Sequence, residues 1–142
     1  MGKTARRLRV RPGIQSLDPR RLLSGFTPTQ IREAYGLSGV SLPTATGGTV
    51  VGDGSGQTIA IIGAYHNPTL QSDLDIFDAT YGLPPTTVSV VNLGTAETHS
   101  TWGSESAMDV QWAHALAPGA SIVLVEAASD AADDVLAAVD VA

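Results

Sequence analysis

Residues 104–126 read SESAMDVQWAHALAPGASIVLVE, a helical stretch followed directly by an apolar run. The pattern predicts a helix from Ser104 to about Leu116, because the Pro118-Gly119 pair stops it. The run over residues 121–126 is apolar enough for a strand that is buried on both faces, as in a parallel sheet. The stretch therefore indicates a helix that leads into a buried strand.

The same alternation extends outward in both directions. The pattern predicts a helix over 27–36, a loop over 38–56, a strand over 57–62, a helix from 67 to about 81, a strand over 87–92 and a helix over 130–142. Strands alternating with helices predict an α/β fold, a parallel sheet with helices on both faces. Three strands make a small parallel sheet, so we expect the front part of a longer domain, truncated after about three core strands.

Composition and charge exclude several classes of protein. The chain has 142 residues, 43% of them hydrophobic, and no cysteine, which predicts one globular domain without disulfides or thiol chemistry. No apolar run approaches the roughly 20 residues of a membrane-spanning helix. All eight Lys and Arg residues lie between Lys3 and Arg32, so residues 33–142 carry thirteen acids and no base. We therefore expect no nucleic-acid partner for this body and good tolerance of acid.

The basic N-terminal segment, residues 1–25, lacks any regular apolar period and predicts a leader outside the fold, so the folded domain is expected over 26–142. Residues 17–24, LDPRRLLS, resemble a short leader motif of the form L-E-x-R-x-L-L-S, which occurs near the start of many large exported bacterial surface proteins. The resemblance implies a secreted or cell-surface protein. A disordered basic tail is the alternative.

Glu105 and Asp109 are the candidate catalytic residues. They lie four apart on the predicted helix, hence on one face, in a row that Trp112 and Leu116 continue. Two acids beside large apolar side chains are expected to be partly desolvated and to share a proton, which raises one apparent pKa. The alternative is a solvated helix face on which Glu105 only favours the helix N-terminus.

Three blocks of the sequence resemble the sedolisins, the serine-carboxyl peptidases that include kumamolisin and pseudomonalisin. Residues 103–120, GSESAMDVQWAHALAPGA, resemble the catalytic helix of that family, in which a Glu, three spacer residues and an Asp precede a G/H-A-x-A-P-G-A tail. Residues 26–36, FTPTQIREAYG, resemble its first helix, and residues 56–62, GQTIAII, its first core strand. The blocks follow the order in which the family has them.

The resemblance implies a subtilisin-like fold and a Ser-Glu-Asp triad, in which Glu105 takes the proton of the serine and Asp109 orients Glu105. A carboxylate is still ionised at about pH 4, where an imidazole is protonated and useless as a base. The Gly-Thr-Ser motif of the family's nucleophile does not occur in this sequence, nor does the Gly-Asp-Ser-Gly-like motif of its oxyanion-stabilising aspartate. Gly63 stands where some members have an acid immediately after the first core strand.

We therefore expect a fragment of an acid endopeptidase that is inactive alone and acts on peptide or protein substrates once completed. We expect no cofactor in this chain, since the family's calcium site belongs to the missing C-terminal part. The alternative is a non-catalytic remnant or interaction module that kept the α/β scaffold. For that alternative, Glu105→Gln and Asp109→Asn are expected to be neutral or stabilising.

Other candidate sites have weaker patterns. The three histidines, His66, His99 and His114, show no H-x-H or H-E-x-x-H spacing, so a zinc site has little support. The acids Asp73, Asp75 and Asp78 are expected on a solvated helix face, because apolar residues intervene where a calcium loop needs ligands and a glycine.

Overall fold

The computed structural model describes residues 25–94 and 96–142. Its elements, in chain order, are α1 (Pro28–Ala34), β1 (Ser41–Pro43), β2 (Thr49–Val51), β3 (Thr58–Ala64), α2 (Leu70–Tyr81), β4 (Ser89–Asn92), α3 (Ser100–Leu116), β5 (Ser121–Ala127) and α4 (Ala132–Val141). None of the described helices is long and apolar enough to cross a bilayer. The predicted leader lies outside the described residues except for Gly25, so the boundary at residue 26 stays a prediction.

The main sheet has three parallel strands in the order β3-β5-β4. Leu124 of the central strand β5 pairs with Ile61 of β3 on one side and with Val90 of β4 on the other. The strands that precede β5 in the chain thus lie on either side of it, with helices in the connections. This confirms the predicted α/β class with a parallel sheet.

Helices cover both faces of β5. On one face, α2 and α3 pack over a buried apolar cluster that consists of Leu70, Leu74, Val88, Val110, Ile122 and Leu124. On the other face, α4 packs over a smaller cluster that consists of Ala64, Val125, Ala127 and Ala138. Because successive side chains of a strand point to opposite faces, the continuous apolar run of β5 fills both layers.

The first helix begins with a capping box. Thr27 Oγ1 accepts a hydrogen bond from the Gln30 N–H (3.3 Å), and Gln30 Oε1 accepts one from the Thr27 N–H (2.9 Å). The helix docks through Arg32, whose guanidinium donates to the Leu116 carbonyl oxygen (2.6 Å) in the last turn of α3. This hydrogen bond holds α1 against the C-terminal end of α3.

Residues 38–56 differ from the predicted loop, because they contain the antiparallel hairpin β1-β2, in which Leu42 pairs with Val50. The connecting turn passes through Gly47 at φ 85°, and the Gly47 N–H donates to the Thr44 carbonyl oxygen (3.1 Å). Each strand has three residues, all exposed. No alternation of buried and exposed residues is long enough to reveal such strands in the sequence.

Helix α3 begins at Ser100, four residues before the predicted start at Ser104. Gly103 lies inside the helix, where its N–H donates to the His99 carbonyl oxygen (2.8 Å). Glycine is a poor helix former, so the sequence favours a start after it. The extra turn carries α3 to the carboxyl ends of the strands, where its Gly103 carbonyl accepts a hydrogen bond from Asn67 Nδ2 (2.9 Å).

Candidate functional site

The two predicted site residues, Glu105 and Asp109, lie on the same face of α3, and both are exposed. No hydrogen bond or ion pair joins either carboxylate to another of the described residues. The expected desolvation beside Trp112 is wrong. That side chain instead packs edge-on against Phe77 of α2, with ring centroids 6.3 Å apart. The two carboxylates are therefore solvated.

The packing of α3 explains which way this pair points. Ser106 is buried against the sheet, where a Cβ at Gly63 would come within 2.6 Å of its Oγ. On one flank of α3, Gln111 Nε2 donates to the Asp73 carbonyl oxygen of α2 (3.3 Å). The predicted pair lies on an exposed part of α3, in the same helical row as Trp112, whose ring contacts Phe77 of α2.

The two edge strands of the sheet, β3 and β4, have different neighbours. Helix α2 is on the β4 side, since Gln71 accepts a hydrogen bond from the Val88 N–H (3.1 Å) and donates to the Thr86 carbonyl oxygen (2.9 Å), just before β4. Among the described residues, no strand pairs with the outer edge of β3. Both faces of β3 are nevertheless covered, one by α3 and the other by α4.

A polar cleft of about 280 Å³ opens at the carboxyl ends of the strands, where open α/β sheets bind ligands. It lies between the segment that follows β3 and the first turns of α2 and α3. Its principal polar lining residues are His66, Asn67, Asp73, His99, Ser100 and Ser104. Ser104 directly precedes Glu105 in the chain, but successive side chains of a helix point about 100° apart, so this adjacency does not place the predicted pair in the cleft.

A fully buried carboxylate lies beneath this cleft, at the carboxyl end of β5. Glu126 is 0% exposed. Its Oε1 accepts a hydrogen bond from the Asn67 N–H (2.9 Å), and its Oε2 accepts from Asn92 Nδ2 and faces His66 Nδ1, both at 2.8 Å. A glutamate is rarely buried unless it is paired, and these three groups provide the pairing. The network also joins the ends of all three strands.

His66 is fixed by its backbone and by its ring. Its N–H donates to the Glu97 carbonyl oxygen (2.8 Å). Because a carboxylate only accepts hydrogen bonds, the contact with Glu126 places a proton on Nδ1 and leaves Nε2 of a neutral ring as an acceptor. The side chain is 33% exposed and lines the cleft, so Nε2 belongs to the accessible part of the ring.

Tyr65 precedes this histidine with a positive φ of 61°, which is uncommon for a bulky residue. Its phenol donates to Asp130 Oδ1 (3.1 Å), and its ring stacks on His99 at a centroid distance of 5.2 Å. Burial, and then the hydrogen bond to Asp130, raise the pKa of the Tyr65 phenol, which therefore stays a donor. These contacts hold the strained turn that directs His66 into the cleft.

Sequence reasoning misses the cluster of His66, Asn92 and Glu126. The spacing of the histidines is compared only with that of metal-binding motifs, and Glu126 is predicted only as the last residue of an apolar strand. The sequence contains one signal that could identify this cluster: each of these residues ends or follows a predicted strand. Because the carboxyl ends of parallel strands meet at one edge of a sheet, polar residues at those ends lie close together.

A second buried pair lies between α2 and α3. Asp78 is 3% exposed and His114 is 0% exposed, so the prediction of a solvated position for Asp78 is wrong. His114 Nε2 donates to the Pro84 carbonyl oxygen (2.8 Å) and lies 3.5 Å from Asp78 Oδ1. Neither carboxylate oxygen of Asp78 has a hydrogen-bond partner within the described part of the chain. Burial raises the pKa of Asp78, against a smaller lowering effect of His114.

Within residues 25–94 and 96–142, no three His, Asp or Glu side chains are grouped as a metal site requires. Comparisons of the chain with protein-family models, curated proteins and solved structures find no match. We accordingly treat the resemblance to the sedolisins as a hypothesis.

Proposed function

We propose that this chain is the Glu/Asp-bearing part of an exported serine-carboxyl endopeptidase of sedolisin type, with a subtilisin-like fold. The observation that carries the proposal is the position of Glu105 and Asp109. They lie one turn apart on one face of α3, and both are exposed. A second surface that contains a serine is expected to cover them.

The environment of β3 supports the proposal. A strand with helices on both faces is typical of the interior of a parallel sheet, yet one edge of β3 is paired with no described strand. We expect the added polypeptide to provide a strand at that edge. Gly63 has no room for the acid of some sedolisins, because a Cβ would lie 2.6 Å from the buried Ser106 Oγ. The carboxylates proposed for catalysis are therefore Glu105 and Asp109 alone.

In the proposed mechanism, the serine hydroxyl comes from the added polypeptide. Glu105 accepts the hydroxyl proton while the serine oxygen attacks the peptide carbonyl carbon, and it then gives the proton to the leaving amine. Once the added polypeptide covers the pair, Asp109 is expected to hydrogen-bond Glu105 and to orient it. A base of this kind works in acid, where an imidazole does not. The chain alone, without the serine, is expected not to hydrolyse peptides.

The test begins with the genomic sequence downstream of codon 142, where a Gly-Thr-Ser segment is expected, in frame or after a frameshift. The 142-residue chain and the longer product are then assayed on a denatured protein between pH 3 and 5. We expect activity only in the longer product, and a loss of about 10²-fold or more in kcat for Glu105→Gln and for Asp109→Asn. Asp140→Asn, which removes an exposed acid from α4, is the matched control and is expected to keep full activity.

The second candidate is a non-catalytic remnant on the same scaffold. It is favoured by the full exposure of Glu105 and Asp109 and by their lack of contacts with the described residues. It predicts that neutralising either acid raises the stability of the chain by a few tenths of a kcal/mol, because like charges four apart on a helix repel. A longer product that stays inactive with both carboxylates intact would establish this candidate and overturn the peptidase.

A further inference from the structure

A buried carboxylate, an imidazole and a cleft meet at the carboxyl ends of the strands, and the steps assigned to Glu105 and Asp109 use none of them. We propose that His66 and Glu126 form a second acid–base centre that hydrolyses small uncharged esters. His66 is its catalytic base and Glu126 its positioning residue. The proposal does not rest on the peptidase assignment, because every group that it needs lies in the described part of this chain.

The geometry is that of a carboxylate which orients an imidazole. Glu126 Oε2 lies 2.8 Å from His66 Nδ1, which fixes the tautomer whose Nε2 accepts a proton. Glu126 is itself held by the Asn67 N–H and Asn92 Nδ2, so its position is set before any ligand binds. The buried carboxylate also stabilises the imidazolium that forms when Nε2 takes up a proton.

The surroundings of His66 exceed what a structural role needs. A carboxylate that only tied the strand ends together would be satisfied by Asn67 and Asn92. The imidazole of His66 also contacts this carboxylate, and it is one-third exposed and lines the cleft. It follows Tyr65, whose backbone is in a strained conformation. Strain of this kind persists where the surrounding contacts hold it, and it concentrates at functional sites.

The cleft indicates the class of substrate. Its volume of about 280 Å³ admits a small acyl compound and not a folded partner. Asp73 lies in its wall, and residues 33–142 carry no Lys or Arg, so anions are repelled and an uncharged ligand is favoured. Ser100 and Ser104 provide hydroxyl groups near the ester oxygens. No described side chain caps the first turn of α3, and His99 and Ser100 at its start line the same cleft.

The reaction balances with water as the only co-reactant. His66 Nε2 takes a proton from water while the water oxygen bonds to the ester carbonyl carbon. The bond from that carbon to the alkoxy oxygen then breaks, and Nε2–H returns the proton to the departing oxygen. The products are a carboxylic acid and an alcohol, and the imidazole is regenerated in its starting form.

The experiment uses the full 142-residue chain and p-nitrophenyl acetate, with kcat and KM measured as functions of pH. We expect saturable hydrolysis that requires one unprotonated group. His66→Gln is expected to lower kcat/KM by about 10²-fold. Glu126→Gln is expected to lower kcat with little change in KM and to shift the pH profile. Glu33→Gln, the same change at an exposed site on α1, is the control and is expected to match the wild type.

His66→Gly distinguishes a loss of folding from a loss of chemistry, because it leaves an empty space that imidazole added to the solution can fill. If the cleft is intact, added imidazole is expected to restore the rate of this variant. Circular dichroism checks whether Glu126→Gln is folded. If Glu126→Gln unfolds, Asn92→Ala takes its place. Asn92 is exposed, and its side chain donates to the Glu126 oxygen that faces His66, so its loss is expected to lower kcat severalfold.

Two results would overturn the proposal. One is a rate in His66→Gln equal to that of the wild type, and the other is hydrolysis that does not saturate and is no faster than catalysis by free imidazole. Either result leaves the peptidase proposal unaffected, because that proposal is tested on a protein substrate.

Discussion

Asp78 places a carboxyl group between α2 and α3, and neither of its oxygens has a hydrogen-bond donor among the described residues, so its ionisation opposes folding. Burial raises its pKa above the ordinary 3.8, and the folded state therefore holds the proton more tightly than the unfolded state. The penalty is absent below about pH 3.8 and grows as the pH rises through the raised pKa. We expect Asp78→Asn to stabilise the chain at pH 7 by about 1–3 kcal/mol in urea unfolding.

The gain from this substitution is expected to disappear at about pH 3, where both states of the wild type are protonated. Asp140→Asn, at an exposed position of α4, is the control and should leave the pH dependence unchanged. A loss of stability in Asp78→Asn at pH 7 would contradict the prediction, because it would mean that a charged His114 pairs with ionised Asp78.

At the level of single residues, the sequence predicts relationships within one element better than contacts between elements. The spacing of Glu105 and Asp109 correctly places them on one helix face, but their exposure depends on what packs against α3. Asp78 and Glu126 are buried because of contacts with α3 and with the segments after β3 and β4. No pattern within α2 or β5 contains those contacts.

Helix α1 is joined to the body of the molecule through Arg32, the sole base among the described residues. Its guanidinium donates to the carbonyl oxygens of Ala115 (3.4 Å) and Leu116 (2.6 Å), at the negative end of the α3 dipole. We expect Arg32→Gln to lower the free energy of unfolding by about 1–3 kcal/mol, because these charge-assisted hydrogen bonds are lost. Urea unfolding measures the loss, and hydrogen exchange locates it in α1 and the last turn of α3.

Glu33→Gln is the matched control for this prediction, since it changes an exposed neighbour on the same helix. It is expected to alter stability by less than about 0.5 kcal/mol. Unchanged amide protection of α1 in Arg32→Gln would show that the apolar contacts of the helix, and not Arg32, hold it in place.

At the level of elements, the sequence identifies helices and buried strands where the local signals are strong. It does not identify the short exposed hairpin or the first turn of α3, where the signals are weak. The Thr27–Gln30 capping box and Gly82, a left-handed cap at φ 68°, mark two helix boundaries correctly. Gly103 misplaces the start of α3, because its low helix propensity is overcome by contacts with the segment after β3. The hairpin β1-β2 is missed, since three exposed residues per strand give no period.

For the whole molecule, the order β3-β5-β4 brings the polar residues at the three strand ends to one edge of the sheet. The alternation of strands and helices predicts the α/β class but not this order. It therefore does not predict which strand ends are neighbours. The Glu126 cluster arises because β5 inserts between β3 and β4, an arrangement that depends on the packing of α2, α3 and α4.

The distribution of charge determines how the stability of the whole molecule responds to salt. Residues 33–142 carry thirteen acids and no base, so the folded state brings like charges together. Between about 0.01 and 1 M NaCl the screening length falls from about 30 Å to 3 Å. We expect the free energy of unfolding at pH 7 to rise over this range, and to rise much less at about pH 4, where many carboxyl groups are protonated. Urea unfolding at both pH values measures this change in the free energy of unfolding. If salt raises the stability equally at both pH values, the effect comes from apolar burial and not from carboxylate repulsion.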